Sequence, residues 1–245
     1  MIKLKQNIMP YRRLPNTDKA RIRAMRRAIE LGEKLTPSSL AYSSRLYSKL
    51  KSFLPIFEHA ILLQKESTEK QVQKNSNYIE SLNKARIYIS HFIQVFNFAI
   101  VRGEIKPESR RFYMLDVTNS KLPPLASESA VIEWGQNIIA GESARVKVGE
   151  TPMTNPRIAL VKVHYDAFLE KYQYQKMLKS ISIRANKKVA ELRPEADELI
   201  TKLWNEIEAS FDHYESAVKR SQAANYGVVY VTRKVERLEE HKLAV

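Results

Sequence analysis

The chain has 245 residues, 44% hydrophobic and 28% charged, enough for one large domain or two small ones with a real core. Its 41 Lys and Arg outnumber 27 Asp and Glu, for a net charge of +14. It has no cysteine, which excludes disulfides, thiolate nucleophiles, iron–sulfur clusters and cysteine-based zinc sites. Six glycines suit helices better than a turn-rich sheet protein, and no apolar run approaches the ~20 residues of a membrane span.

Residues 1–15 read as an irregular basic arm, without the apolar core and small-residue cleavage site of a signal peptide. A cytoplasmic protein without membrane association is expected. Asn16 or Thr17 caps a first helix with Asp18 in its first turn and Gly32 near its end. Its narrow apolar stripe (Ala20, Met25 or Ala24, Ala28, Leu31) predicts a short peripheral helix. Thr36-Pro37 starts a second, carried by Leu40, Tyr47, Leu50, Leu54, Phe57 and Ile61, with a kink expected at Pro55. Polar residues dominate from 64 to 77, and Asn-Ser-Asn at 75–77 is the expected reversal.

The strongest pattern follows: Ile79, Leu82, Ile89, Ile93, Phe96 and Ile100, with Arg86 in the missing slot, alternate steps of three and four residues up to Gly103. That is the seam of a helix packed lengthwise on others. Residues 104–126 form a connector with one helical turn near 108–114, and Ser127 caps a short helix over 127–141 ended by Gly141. Ala-Arg-Val-Lys-Val at 144–148 alternates like an edge strand, and 226–233 is the other strand-like run, so the two are expected to pair as a small ribbon. Asn155-Pro156 opens a third long helix, Arg193-Pro194 marks a reversal, and Ala196, Leu199, Leu203, Ile207, Phe211 and Tyr214 carry a fourth. Residues 234–245 are a charged tail.

These elements predict a mainly α fold: a four-helix up-and-down bundle of two long hairpins in one domain, 16–225, with a peripheral N-terminal helix and a two-stranded ribbon.

Chemistry is sparse. No Gly-rich phosphate loop, zinc-protease helix, nucleophile elbow or calcium loop is present. The histidines (His59, His91, His164, His213, His241) never fall at the i, i+3 or i+4 spacing of paired metal ligands. His91 and His164 sit among apolar residues, where packed histidines are commoner than ligands. No cofactor is expected. Glu195, Asp197, Glu198, Glu206 and Glu208 read as a solvated helix face, and Trp134 and Trp204 as packing rather than ligand stacking.

Charge is asymmetric, however. Lys3, Lys5, Arg12, Arg13, Lys19, Arg21, Arg23, Arg26 and Arg27 are nine cations opposed in the first thirty residues only by Asp18 and Glu30, half of the chain's net charge. A basic arm feeding a basic helix suits phosphate backbones or acidic partners. The functional expectation is a non-enzymatic binding or scaffold protein with a protein partner or a second copy of itself. The alternative is nucleic-acid or polyanion binding through Arg12, Arg13, Arg21, Arg23, Arg26 and Arg27. A bundle metalloprotein or enzyme is the remaining one.

Four phrases carry a resemblance: Met-Pro-Tyr-Arg-Arg-Leu-Pro-Asn-Thr-Asp at 9–18, Tyr-Ile-Ser-His-Phe-Ile-Gln-Val-Phe at 88–96, Ile-Glu-Trp-Gly-Gln at 132–136 and the stretch 155–165. Over most of its length the chain resembles a family of uncharacterised, mainly helical bacterial proteins. The resemblance implies an all-helical fold and a bacterial cytoplasmic setting, and brings no catalytic or binding residues with it.

Overall fold

A computed structural model describes residues 10–232. The tail at 234–245, Arg233, and Lys3 and Lys5 of the arm lie outside the described residues. The fold is mainly helical, with one small antiparallel sheet. In chain order it comprises β1 (Tyr11–Arg12), α1 (Asp18–Lys34), a 3₁₀ turn (Pro37–Ser39), α2 (Ser44–Val101), a 3₁₀ helix (Pro107–Tyr113), α3 (Glu128–Lys147), α4 (Ile158–Ser210), α5 (Ser216–Asn225) and β2 (Tyr230–Val231).

Several expectations are corrected. The reversals at 75–77 and at Arg193-Pro194 are not formed, because α2 runs 58 residues and α4 runs 53 without a break. The two hairpins they were to make are therefore absent. The polar stretch 64–77 is rich in Lys, Glu and Gln, which are good helix formers, and contains neither Gly nor Pro to end the helix. Pro194 removes one hydrogen-bond donor from α4, yet Val189 and Leu192 before it and Ala196 and Leu199 after it are buried in one cluster, which holds both sides in register. Residues 144–148 end α3 rather than forming a strand. Their apolar members Val146 and Val148 are 40% and 65% exposed, and the charged Arg145 just before them is the buried one. The ribbon instead pairs β2 with the arm: Tyr11 faces Val231 and Arg12 faces Tyr230.

Gly141 does not end a helix. It lies within α3, where an added Cβ would fall 2.5 Å from the Phe112 carbonyl oxygen, so glycine is what lets α3 approach the 3₁₀ helix. Thr17 and Ser127 do cap α1 and α3, accepting from the Ala20 and Ala130 amides.

The chain forms two compact units, each described by itself. Unit 1 takes the described residues up to Glu66 and from Ile183 onward, and unit 2 is Ser67–Ser182. The core of unit 1 draws Ala24, Met25 and Ala28 from α1, so this helix is integral rather than peripheral. It packs on Leu50 and Phe57 of α2, Ile200, Leu203 and Trp204 of α4, and Ala223 of α5.

In unit 2 the seam of α2 keeps Leu82, Ile89, Ile93 and Phe96 of the expected positions and departs from it at Ile79. Tyr78, Leu82, Ala85, Ile89, Ile93 and Phe96 are buried, and Ile79 is exposed. They pack on Val131 and Ile138 of α3 and on Val161, Tyr165 and Phe168 of α4. Beside this apolar core, Arg145 and Glu142 are each 1% exposed and paired at 3.0 Å. Arg145 also donates to the Tyr113 hydroxyl, to Glu150 and to the Thr151 carbonyl, and Glu142 accepts from the Met153 amide and the Tyr113 hydroxyl. Burial pulls the Arg145 guanidinium down, but Glu142, Tyr113 and Glu150 outweigh it and hold it above its ordinary range. Burial, then Glu142, pushes the Tyr113 phenol up, so it stays protonated and donates.

Breaking a buried pair from one side strands the other charge. Arg145→Ala is therefore expected to lower unfolding stability by about 3–5 kcal/mol, read by urea denaturation. Replacing Arg145 and Glu142 together by Leu is expected to cost less than Arg145→Ala alone.

Candidate functional site

The six N-terminal arginines divide into two sets. Arg12 and Arg21 are used by the fold. Arg12, on β1, donates to Asn205 Oδ1 at 2.7 Å and Glu208 Oε2 at 2.8 Å, while Tyr230, its cross-strand partner, donates to Glu208 Oε1 at 2.6 Å. One carboxylate of α4 thus fastens both strands. Arg21 forms a two-pronged pair with Asp197 at 2.8 and 3.0 Å and reaches Asp18 at 3.2 Å. Asp18 is held in turn by both prongs of Arg193, at 2.9 and 2.8 Å. Asp197 and Glu208 were expected on a solvated face; they are the anchors of α1 and of the ribbon.

Arg13, Arg23, Arg26 and Arg27 instead line one cavity of about 740 Å³ in unit 1. Helical spacing brings the last three together, since Thr17, Ala20, Ala24, Arg27 and Glu30 follow steps of three and four along α1 and all line it, with Arg23 and Arg26 beside them. Alanine at 20 and 24 leaves the volume that larger side chains would fill. Arg13 comes from the arm, fixed by its amide donating to the Val229 carbonyl at 2.9 Å. Gly227, also in the wall, has φ +92° and sits where a Cβ would lie 3.2 Å from Arg27 Cβ.

The four are not equally free. Arg26 donates to Glu58 at 2.5 Å, and Arg27 donates to the Asn225 carbonyl at 2.9 Å and faces Glu30 at 3.8 Å. Arg13 and Arg23 are exposed, and among the described residues their guanidinium groups have no ion pair or hydrogen bond.

Sequence reasoning missed Trp204 as a site residue. It is fully buried on α4, yet forms part of the same wall, and its Nε1–H has no acceptor among the described residues. Among the described residues the one other such buried atom is Gln175 Nε2, beside a smaller cavity in unit 2. Periodicity assigns Trp204 to the core, correctly; no sequence signal marks its nitrogen as unpaired.

Among the described residues the histidines contribute no centre. His91 is exposed, and His164 is half-buried and stacked on Tyr88 at 4.0 Å. Among the described residues no three His, Asp or Glu side chains converge as a metal site would require. Comparison with protein-family models, with curated proteins and with solved structures gives no match.

The hydrogen bond from Arg193, followed by the charges of Arg193 and Arg21, holds the Asp18 carboxyl below its usual range. A depressed folded-state pKa contributes stability above the unfolded value of about 3.9 and loses it as pH falls through the folded one. Asp18→Asn is expected to cost about 1–2 kcal/mol near neutrality. The gap between parent and variant in thermal melts should close below about pH 4.

Proposed function

We propose that the protein is a non-enzymatic binding protein whose unit 1 holds a phosphate-bearing anion at the arginine-lined cavity. The observation that carries this is the convergence of four arginines on one concavity, two of them without a counter-charge among the described residues. An unpaired surface arginine is ordinary, but two beside a hollow floored by small and aromatic side chains form a receptor for an anion that offers paired oxygens to a guanidinium fork, as a phosphate does. Of the six arginines expected to contact a polyanion, Arg13 and Arg23 are the direct donors in this reading. Arg26 and Arg27 strengthen the local field, and Arg12 and Arg21 shape the site.

The bacterial cytoplasmic setting belongs to the proposal and rests on the sequence resemblance. Among the described residues no helix is long and apolar enough to cross a membrane.

Unit 2 supports a second reading, a scaffold for a protein partner or a second copy. Ile87, Phe98 and Val101 of α2 are 61%, 59% and 79% exposed. Sedimentation at two ionic strengths tests it: a salt-insensitive oligomer abolished by Phe98→Ser supports that face, and a monomer throughout counts against self-association.

For the anion site, the measurement is fluorescence anisotropy with single-stranded RNA and with duplex DNA across a salt series. Binding should weaken steeply with salt, because releasing counterions gains less as the bulk salt rises. Arg13→Ala with Arg23→Ala should reduce affinity at least tenfold and lower the salt slope by about one to two. Arg102→Ala, a surface arginine paired to Glu104 in unit 2, should change neither. Absence of binding at low salt would overturn the reading.

A further inference from the structure

We infer that the ligand of this cavity is a nucleotide unit, phosphates on Arg13 and Arg23 and base against the wall that holds Trp204. The inference rests on the anion-binding reading and adds what the rest of the ligand must be.

Three observations restrict it. The volume of about 740 Å³ is far larger than a phosphate ion and lies within the range of small-ligand pockets, whereas a duplex presents convex backbone that cannot enter. Among the arginines the lining is apolar and thinly filled, with Ala20, Ala24, Val229 and Val231, which suits a flat uncharged group. The Trp204 indole N–H is a donor only and stands buried without an acceptor, a state that costs free energy until one is supplied. An acyl chain would fill the apolar part and leave that N–H unpaired. A nucleobase fills it with a planar body and carries acceptors on its edges.

Two further features fit. Among the described residues Arg13 and Arg23 keep two unpaired guanidinium groups, a match for two phosphates, because Arg26 and Arg27 already spend donors on Glu58 and the Asn225 carbonyl. Glu30, in the same wall, would repel a bare polyanion but accepts a hydrogen bond from a sugar hydroxyl. Free nucleoside diphosphate and the end of a single strand share this chemistry.

The chain has two tryptophans, Trp134 and Trp204, so Trp134→Phe leaves Trp204 as the one indole reporter. That protein is titrated with ADP, with a short single-stranded oligoribonucleotide and with inorganic pyrophosphate, by tryptophan emission and by calorimetry. The expected result is a saturable change in Trp204 emission with ADP or the oligonucleotide, and binding about tenfold or more tighter than pyrophosphate. ADP binding without the oligonucleotide identifies the free nucleotide as the source, and the reverse identifies a strand.

Ala20→Leu fills the cavity from α1 without touching the core. It should remove the advantage over pyrophosphate while leaving far-UV circular dichroism unchanged. Trp204→Phe in the parent chain, followed by calorimetry, should do the same.

If ADP and the oligonucleotide bind no better than pyrophosphate and Trp204 emission does not move, the nucleotide inference fails and phosphate binding stands. If none of the three binds at low salt, both fail.

Discussion

Four alternating charges, Arg193, Asp18, Arg21 and Asp197, fix the start of α1 against α4, and much of unit 1 follows from them. Each carboxylate takes both prongs of an arginine, so the contact sets an angle as well as a distance. With Asp18 at the first position of α1, the helix can turn only one way about its axis. Ala24, Met25 and Ala28 go to the core, and the face carrying Ala20, Arg23 and Arg27 looks into the cavity. The pairs are partly exposed and individually modest. Their importance is positional, because they decide which arginines are neutralised and which are left to meet something else.

The Glu208 clasp completes that selection. Arg12 and Arg13 are adjacent in sequence and chemically identical, yet alternation along a strand sends their side chains to opposite sides. Arg12 is spent on Glu208 and Asn205, and Arg13 reaches the cavity. Unit 2 solves a different problem with the same residue type. Arg145 is buried whole, and its donors are distributed over two carboxylates, a phenol and a carbonyl, so that the charge brings its solvation shell with it.

Much of the fold was legible because helices advertise themselves through periodicity and caps. Thr17, Ser127 and the buried positions Leu50, Leu54, Phe57, Ile89, Ile93 and Phe96 stand where the pattern puts them. Breaks were less legible. A proline or an Asn-Ser-Asn run states a local preference, and packing on both sides of Pro194 overrode it. The run 144–148 misled for a sharper reason: hydrophobic alternation presumes that the apolar members are inside, and here a paired arginine took the interior place. Of the candidate site, the charge asymmetry was visible as composition. Partnership was not, since it depends on Asp197, Glu208 and Glu58, residues remote in sequence that acquire meaning only when α1, α2 and α4 meet. The unpaired indole of Trp204 belongs to the same class of fact.

The order in which these pieces leave the ribosome has its own consequence. Unit 2 is one uninterrupted stretch, whereas unit 1 is assembled from segments on either side of it, and the clasp joins Arg12 to Glu208 across 196 positions. Chains emerge amino end first, so the arm and α1 are made before unit 2 and must wait for it before α4 and β2 arrive. During that interval Arg12 and Arg21 lack Glu208 and Asp197, the carboxylates that hold them in the finished fold. Translation must run to Val231 before Asp197, Glu208 and the second strand can withdraw Arg12 and Arg21 from solvent, and among the described residues Arg13 and Arg23 are the two arginines of the arm and α1 left without a partner.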